Sequence, residues 1–166
     1  MRKTVLALTL LASVFFLSTI PAYACEGDYV VTNADNSRHS ATLLADDETL
    51  HLGLDGGNVY EIDVTLFVEQ GAGDIRVALS GNDGLSWTAV HGTVTTNMDG
   101  IAETTNLANF DDVISVNGPS GLVTITYHLV GKTDDTGTLA VQWSQRVNSF
   151  EDTTVLRGSI MRVRYL

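Results

Sequence analysis

Hydrophobic and polar residues alternate along most of this chain with the two-residue period of β-strands rather than the 3.6-residue period of helices. The pattern is clearest over Val59–Glu69. Tyr60, Ile62, Val64, Leu66 and Val68 fall on one face; Glu61, Asp63, Thr65, Phe67 and Glu69 fall on the other. This is a half-buried strand with Phe67 as the apolar exception on its polar side. In Leu122–Val130, Val123, Ile125, Tyr127 and Leu129 share a face. Leu139, Val141 and Trp143 do so in Thr138–Gln145, and Met161, Val163 and Tyr165 in Ser159–Leu166. Further strands are predicted over Tyr29–Thr32, Ser40–Leu44, Leu50–Leu54, Asp74–Ser80, Ser86–Thr95 and Val113–Val116. Only Thr104–Phe110 offers helix, and no more than one turn of it.

The predicted strands are separated by Asp55–Asn58, Gly71–Gly73, Gly81–Gly84, Asn117–Gly121 and Asp134–Gly137. These segments hold Gly, Asn and Asp, which tolerate tight-turn dihedrals. About ten short strands at such spacing predict an all-β, antiparallel sandwich or barrel. Residues 40–166 form that domain, and residues 25–39 read as a polar N-terminal leader. No repeat of 20–50 residues and no low-complexity tract interrupts it.

The first 24 residues break the pattern. Arg2 and Lys3 precede an uncharged apolar run to Ile20, then Pro21 and the small-residue site Ala22-Tyr23-Ala24. That is the layout of a secretory signal peptide, so the remaining 142 residues are expected outside the cytoplasm, secreted or at the cell surface. They carry seven basic residues against 20 acidic ones, a net charge of −13. Such a chain is repelled by nucleic acid and by anionic lipid. No second apolar run is long enough to span a bilayer. Cys25 is the only cysteine and would be the first mature residue, which excludes an intrachain disulfide. It leaves lipidation or an intersubunit disulfide as its possible modifications, and Ala22 and Tyr23 fit a lipoprotein peptidase poorly.

Candidate chemistry is sparse. Glu61 and Asp63, two apart on one strand, share a face at a spacing compatible with a glycosidase pair. Alternating acids are also the ordinary solvent face of a strand. Thr95–Gly100 partly matches a calcium loop, but Thr95 and Asn106 stand where its first and last acids belong. Asp46-Asp47-Glu48, Asp111-Asp112 and Asp134-Asp135 are acidic loop runs. His39, His51, His91 and His128 never reach zinc-ligand spacing. No nucleophile elbow or phosphate loop occurs. The chain reads as a non-enzyme without a cofactor.

Ser80-Gly81-Asn82-Asp83-Gly84-Leu85-Ser86-Trp87 resembles the Asp-box, Ser-x-Asp-x-Gly-x-Thr-Trp, of sialidase propellers. Asn82 and Ser86 replace Asp and Thr. A single copy predicts a structural hairpin, with Gly84 at the positive-φ position, Asn82 accepting from turn amides and Trp87 packed beneath.

A broader resemblance covers residues 40–166. Its carriers are Ser40–Leu54, Gly56–Tyr60, Gly137-Thr138-Leu139-Ala140-Val141-Gln142-Trp143-Ser144-Gln145 and Thr153–Arg164. These resemble small phage virion and tail-associated proteins, similar in fold to tumour-necrosis-factor-like and complement globular-head jelly rolls. The resemblance implies a jelly roll that trimerises through aromatic and apolar surfaces, for which Phe67, Tyr127 and Trp143 are the candidates here. Arg146-Val147 departs from that family's pattern, and the signal peptide does not fit a virion role. The expectation is therefore an exported, non-enzymatic binding or structural module, a homotrimer. The alternatives are a fibre subunit that donates Tyr29–Thr32 to a neighbour and a carbohydrate-binding module.

Overall fold

The computed structural model describes residues 27–166, and within them the alternating pattern resolves into twelve β-strands and no helix. They are β1 (Asp28–Val31), β2 (Asn36–Arg38), β3 (Ala45–Leu54), β4 (Val59–Gln70), β5 (Ile75–Asn82), β6 (Trp87–Met98), β7 (Ile101–Leu107), β8 (Ile114–Val116), β9 (Gly121–Thr133), β10 (Gly137–Ser144), β11 (Thr153–Val155) and β12 (Ile160–Tyr165). The predicted signal peptide and Cys25 lie outside the described residues. No described helix is long and apolar enough to cross a membrane.

The strands form two antiparallel sheets. The large one runs β1-β12-β4-β9-β6-β7, with β11 and β2 attached beside β4; the small one runs β3-β10-β5-β8. The two alternating faces read from the sequence set how they meet. Ile62, Val64, Leu66, Ile125, Tyr127 and Leu129 of the large sheet turn inward. They bury against Val77, Leu79, Leu139, Val141 and Trp143 of the small one. Each such side chain contributes about 1.5–3 kcal/mol by leaving water.

Several expectations change. Ser40–Leu44 is not a strand, because side chains hold it in irregular form: Arg76 donates to the Thr42 carbonyl, and Gln145 takes up Ala41. Thr104–Leu107 belongs to β7 rather than to a helical turn. Asp99 and Gly100 both take left-handed dihedrals (φ 52° and 79°) and close the two-residue β6–β7 hairpin. The described part of the leader is not loose. β1 pairs with β12, and Thr32 is buried with its hydroxyl 3.0 Å from the Leu156 carbonyl. β2 pairs with β11, and Arg38 caps it by donating to the carbonyls of Ala45, Asp46 and Trp143 while lying over the Trp143 ring. Burial lowers the Arg38 pKa, against the pull of Asp47, Glu48 and Asp46.

Candidate functional site

The large sheet is wider than the small one, and this mismatch opens a cleft on one flank. β8 pairs only with residues 75–77 of β5, so Ala78–Asn82 has no strand neighbour on that side. β7 pairs with β6 only from Gly92 onward, so Trp87–His91 is open as well. The two open edges face each other across a cleft of about 650 Å³. Leu79, Leu85, Trp87 and Phe110 supply its apolar lining, and Ser80, Asn109, Asp111 and Gln142 its polar rim.

Local chemistry fixes this shape. Asp83 and Gly84 take left-handed dihedrals (φ 56° and 93°), and the Leu85 amide donates to the Asn82 carbonyl at 3.0 Å. Trp87 stacks on Phe110 with ring centroids 4.4 Å apart and planes 21° from parallel. Its benzene ring lies over Gly131, where an added Cβ would come within 2.7 Å of it. The indole Nε1 is buried and has no hydrogen-bond acceptor. Phe110 is held by the crossing loop between β7 and β8, which Asp112 ties down by accepting from the amides of Ala108 and Asn109, each at 2.8 Å. The Asn109 bonds, backbone first, then that of Ala108, hold the Asp112 carboxyl below the usual aspartate range.

The Asp-box residues sit at the corner of this cleft, but they do not make a hairpin. β5 and β6 leave the turn into different sheets. Asn82 does not cap the turn amides. It accepts from the Ser80 hydroxyl at 3.2 Å and donates to Asp46 at 2.7 Å, while Ser86 donates to Asp135 at 2.8 Å. Gly84 and Trp87 do take the turn and packing positions read from the motif.

The three aromatic candidates separate. Tyr127 and Trp143 are both 0% exposed within a single chain, so neither is available to a second copy. The Tyr127 hydroxyl donates to the Val77 carbonyl at 3.2 Å, and burial drives its pKa up. Trp143 Nε1 donates to buried Asp47 at 3.0 Å. The alternation that put them on one face of their strands was right; that face is the core. Phe67 points the other way and is 42% exposed on the outer face of the large sheet. Around it the outer positions are in register. Thr65, Thr126, Thr95 and Thr104 form a row across β4, β9, β6 and β7, beside Thr124 and Thr93. Tyr29, Val31 and Leu122 are exposed at its margins.

Three of the other candidate acids are engaged within the chain. Glu61 pairs with Arg164, directly opposite in register, and Asp63 lies 2.7 Å from His128 Nδ1. Asp47 accepts from Thr49, Leu50, Asn36 and Trp143. The calcium-like stretch is the β6–β7 hairpin end. Among the described residues no three acids or histidines come together as metal ligands. No known protein-family model matches this chain, and no curated protein matches it.

Proposed function

We propose that this chain is an exported, non-catalytic jelly-roll module that works as a homotrimer outside the cytoplasm, with the outer face of the large sheet turned toward its sister subunits. The jelly-roll reading is supported by strand order. With β1, β3, β4, β5, β8, β9, β10 and β12 as the eight principal strands, the large sheet reads first–eighth–third–sixth. The small sheet reads second–seventh–fourth–fifth. That is how a β-ribbon wraps in two Greek keys. The β6–β7 hairpin is then an insertion that widens the large sheet.

The observation that carries self-association is the composition of one face. In residues 25–166, with a net charge of −13, Phe67 on the large sheet's outer face is surrounded mainly by Thr65, Thr124, Thr126 and Asn97, with the exposed acid Glu69 two residues along its own strand. Its acids at one end are matched by Arg164 and His128. A sparsely charged, partly apolar face on an acidic module suits contact between like-charged copies. Native mass spectrometry of residues 25–166 tests this. Three subunits are expected, and Phe67→Asp should return the assembly to monomers. A wild-type monomer at all concentrations refutes the proposal.

The fibre alternative draws support from β1, a four-residue strand at the sheet margin that a neighbour could share. It would show as a ladder of masses. The sugar-binding alternative draws less, because Glu61 is paired with Arg164 and Asp63 is held by His128 within the chain.

A further inference from the structure

Strand edges invite pairing with other chains, and most edges here are defended. β8 is three residues long. The β3 edge carries Asp46 and Glu48, and the β7 edge carries Glu103. The two open segments beside the cleft are different. Ala78-Leu79-Ser80-Gly81-Asn82 and Trp87-Thr88-Ala89-Val90-His91 hold no acid, no Lys or Arg and no Pro. Undefended edges flanking an apolar floor have the chemistry of a strand acceptor: main-chain groups for affinity and a pocket for side chains.

The same chain carries a matching donor. β1 pairs with β12 on one side only, and among the described residues its other edge has no strand partner. Its four residues span about 13 Å against about 17 Å for the five of Trp87–His91. It exposes Tyr29 and Val31, and Asp28 is its only charge. β1 and the open edge of β6 lie on opposite flanks of the same sheet. Contact between them is therefore head to tail, the kind that closes into a ring or runs on as a filament.

We propose that the cleft between Ala78–Asn82 and Trp87–His91 receives the free edge of β1 from a second copy, joining the large sheets of successive copies edge to edge. This rests on the self-association reading and names its contact. Closure after three copies gives the trimer, with the Phe67 face lining its inside.

Disulfide trapping tests it. Tyr29→Cys and Ala89→Cys are placed in mature chain carrying Cys25→Ser; both positions are exposed, so folding is spared. Within one chain they lie four strands apart, about 19 Å, which a disulfide does not bridge. Oxidation should therefore give covalent dimers and trimers on a denaturing gel. The control pair Tyr29→Cys with Leu122→Cys should give none. Equal crosslinking by both pairs marks random collision and overturns the proposal. Native oligomers without covalent species also overturn it, and leave the self-association reading standing. A monomer in native mass spectrometry overturns both. As an independent variant, Ala89→Glu should abolish the oligomer while leaving the urea midpoint of the subunit unchanged.

Discussion

Replacing Asp47 by Ala should be among the most damaging single changes in this protein. Asp47 is 2% exposed and accepts four hydrogen bonds. Oδ1 takes the amides of Thr49 (3.0 Å) and Leu50 (3.1 Å), and Oδ2 takes Trp143 Nε1 (3.0 Å) and Asn36 Nδ2 (3.1 Å). Alanine leaves the Trp143 and Leu50 donors buried without partners. At about 1–3 kcal/mol for each buried donor left unmet, the loss is about 4 kcal/mol. For a domain of this size that is a fall in melting temperature of roughly 10–15 °C. Asp47→Asn keeps an oxygen for the two amides but presents an NH₂ group to two donors, so it should lose about half as much. In a double-mutant cycle, Trp143→Phe removes one of those donors, and the coupling with Asp47→Ala should be about 1–2 kcal/mol. Urea unfolding of the four proteins measures both quantities. A loss under 1 kcal/mol for Asp47→Ala, or no coupling, would refute the assignment of Trp143 to a satisfied core and return it to the list of surface candidates.

Other positions give independent checks. Gly131→Ala drives a Cβ into the Trp87 ring and should cost about 2 kcal/mol with a shift in tryptophan fluorescence; an unchanged spectrum would contradict the packing. Gly100→Ala meets open space but keeps a positive φ, so it should cost about 1 kcal/mol, whereas Gly121→Ala, equally open at an ordinary φ, should be near neutral in thermal melts. Asp112 has its carboxyl pKa lowered in the folded chain, so its stabilising effect is present at neutral pH and is lost as pH falls through about 4 and below. Wild type should therefore exceed Asp112→Asn in urea midpoint at pH 7, with the gap narrowing as pH is lowered into the acid range; a constant gap would contradict the sign.

The strands were legible wherever one face was buried and the other wet. In β4, β9 and β12 the period-two pattern is carried by consecutive side chains, so the strand, its faces and its core residues could all be read locally. It failed where stability comes from elsewhere. β2 and β11 are three residues each and exist because they pair with one another and β11 pairs with β4, which no local window contains. β7 is exposed on nearly every residue, so it shows no alternation; its only signal is the Asp99-Gly100 pair, which is hairpin chemistry and in sequence also fits the end of a weak calcium loop.

The aromatic candidates show why alternation alone cannot find an interface. A period-two pattern says which residues share a face, but the same apolar stripe serves a core or a partner. What separates them is the second sheet. Tyr127 and Trp143 meet each other's sheets across the sandwich, while Phe67, one residue out of phase with the stripe on its own strand, is left outside. The informative residue was thus the one that broke its strand's pattern. The cleft follows a similar logic at the level of topology. It arises where β8 stops at Ile114 and β7 at Leu107, each shorter than the strand it pairs with. Strand ends in two different sheets set those lengths, and the crossing loop that Asp112 fastens seats Phe110 between them. The motif alone places Trp87 beneath a turn. Its partner, and the open edges on either side, became visible only once the two sheets were laid together.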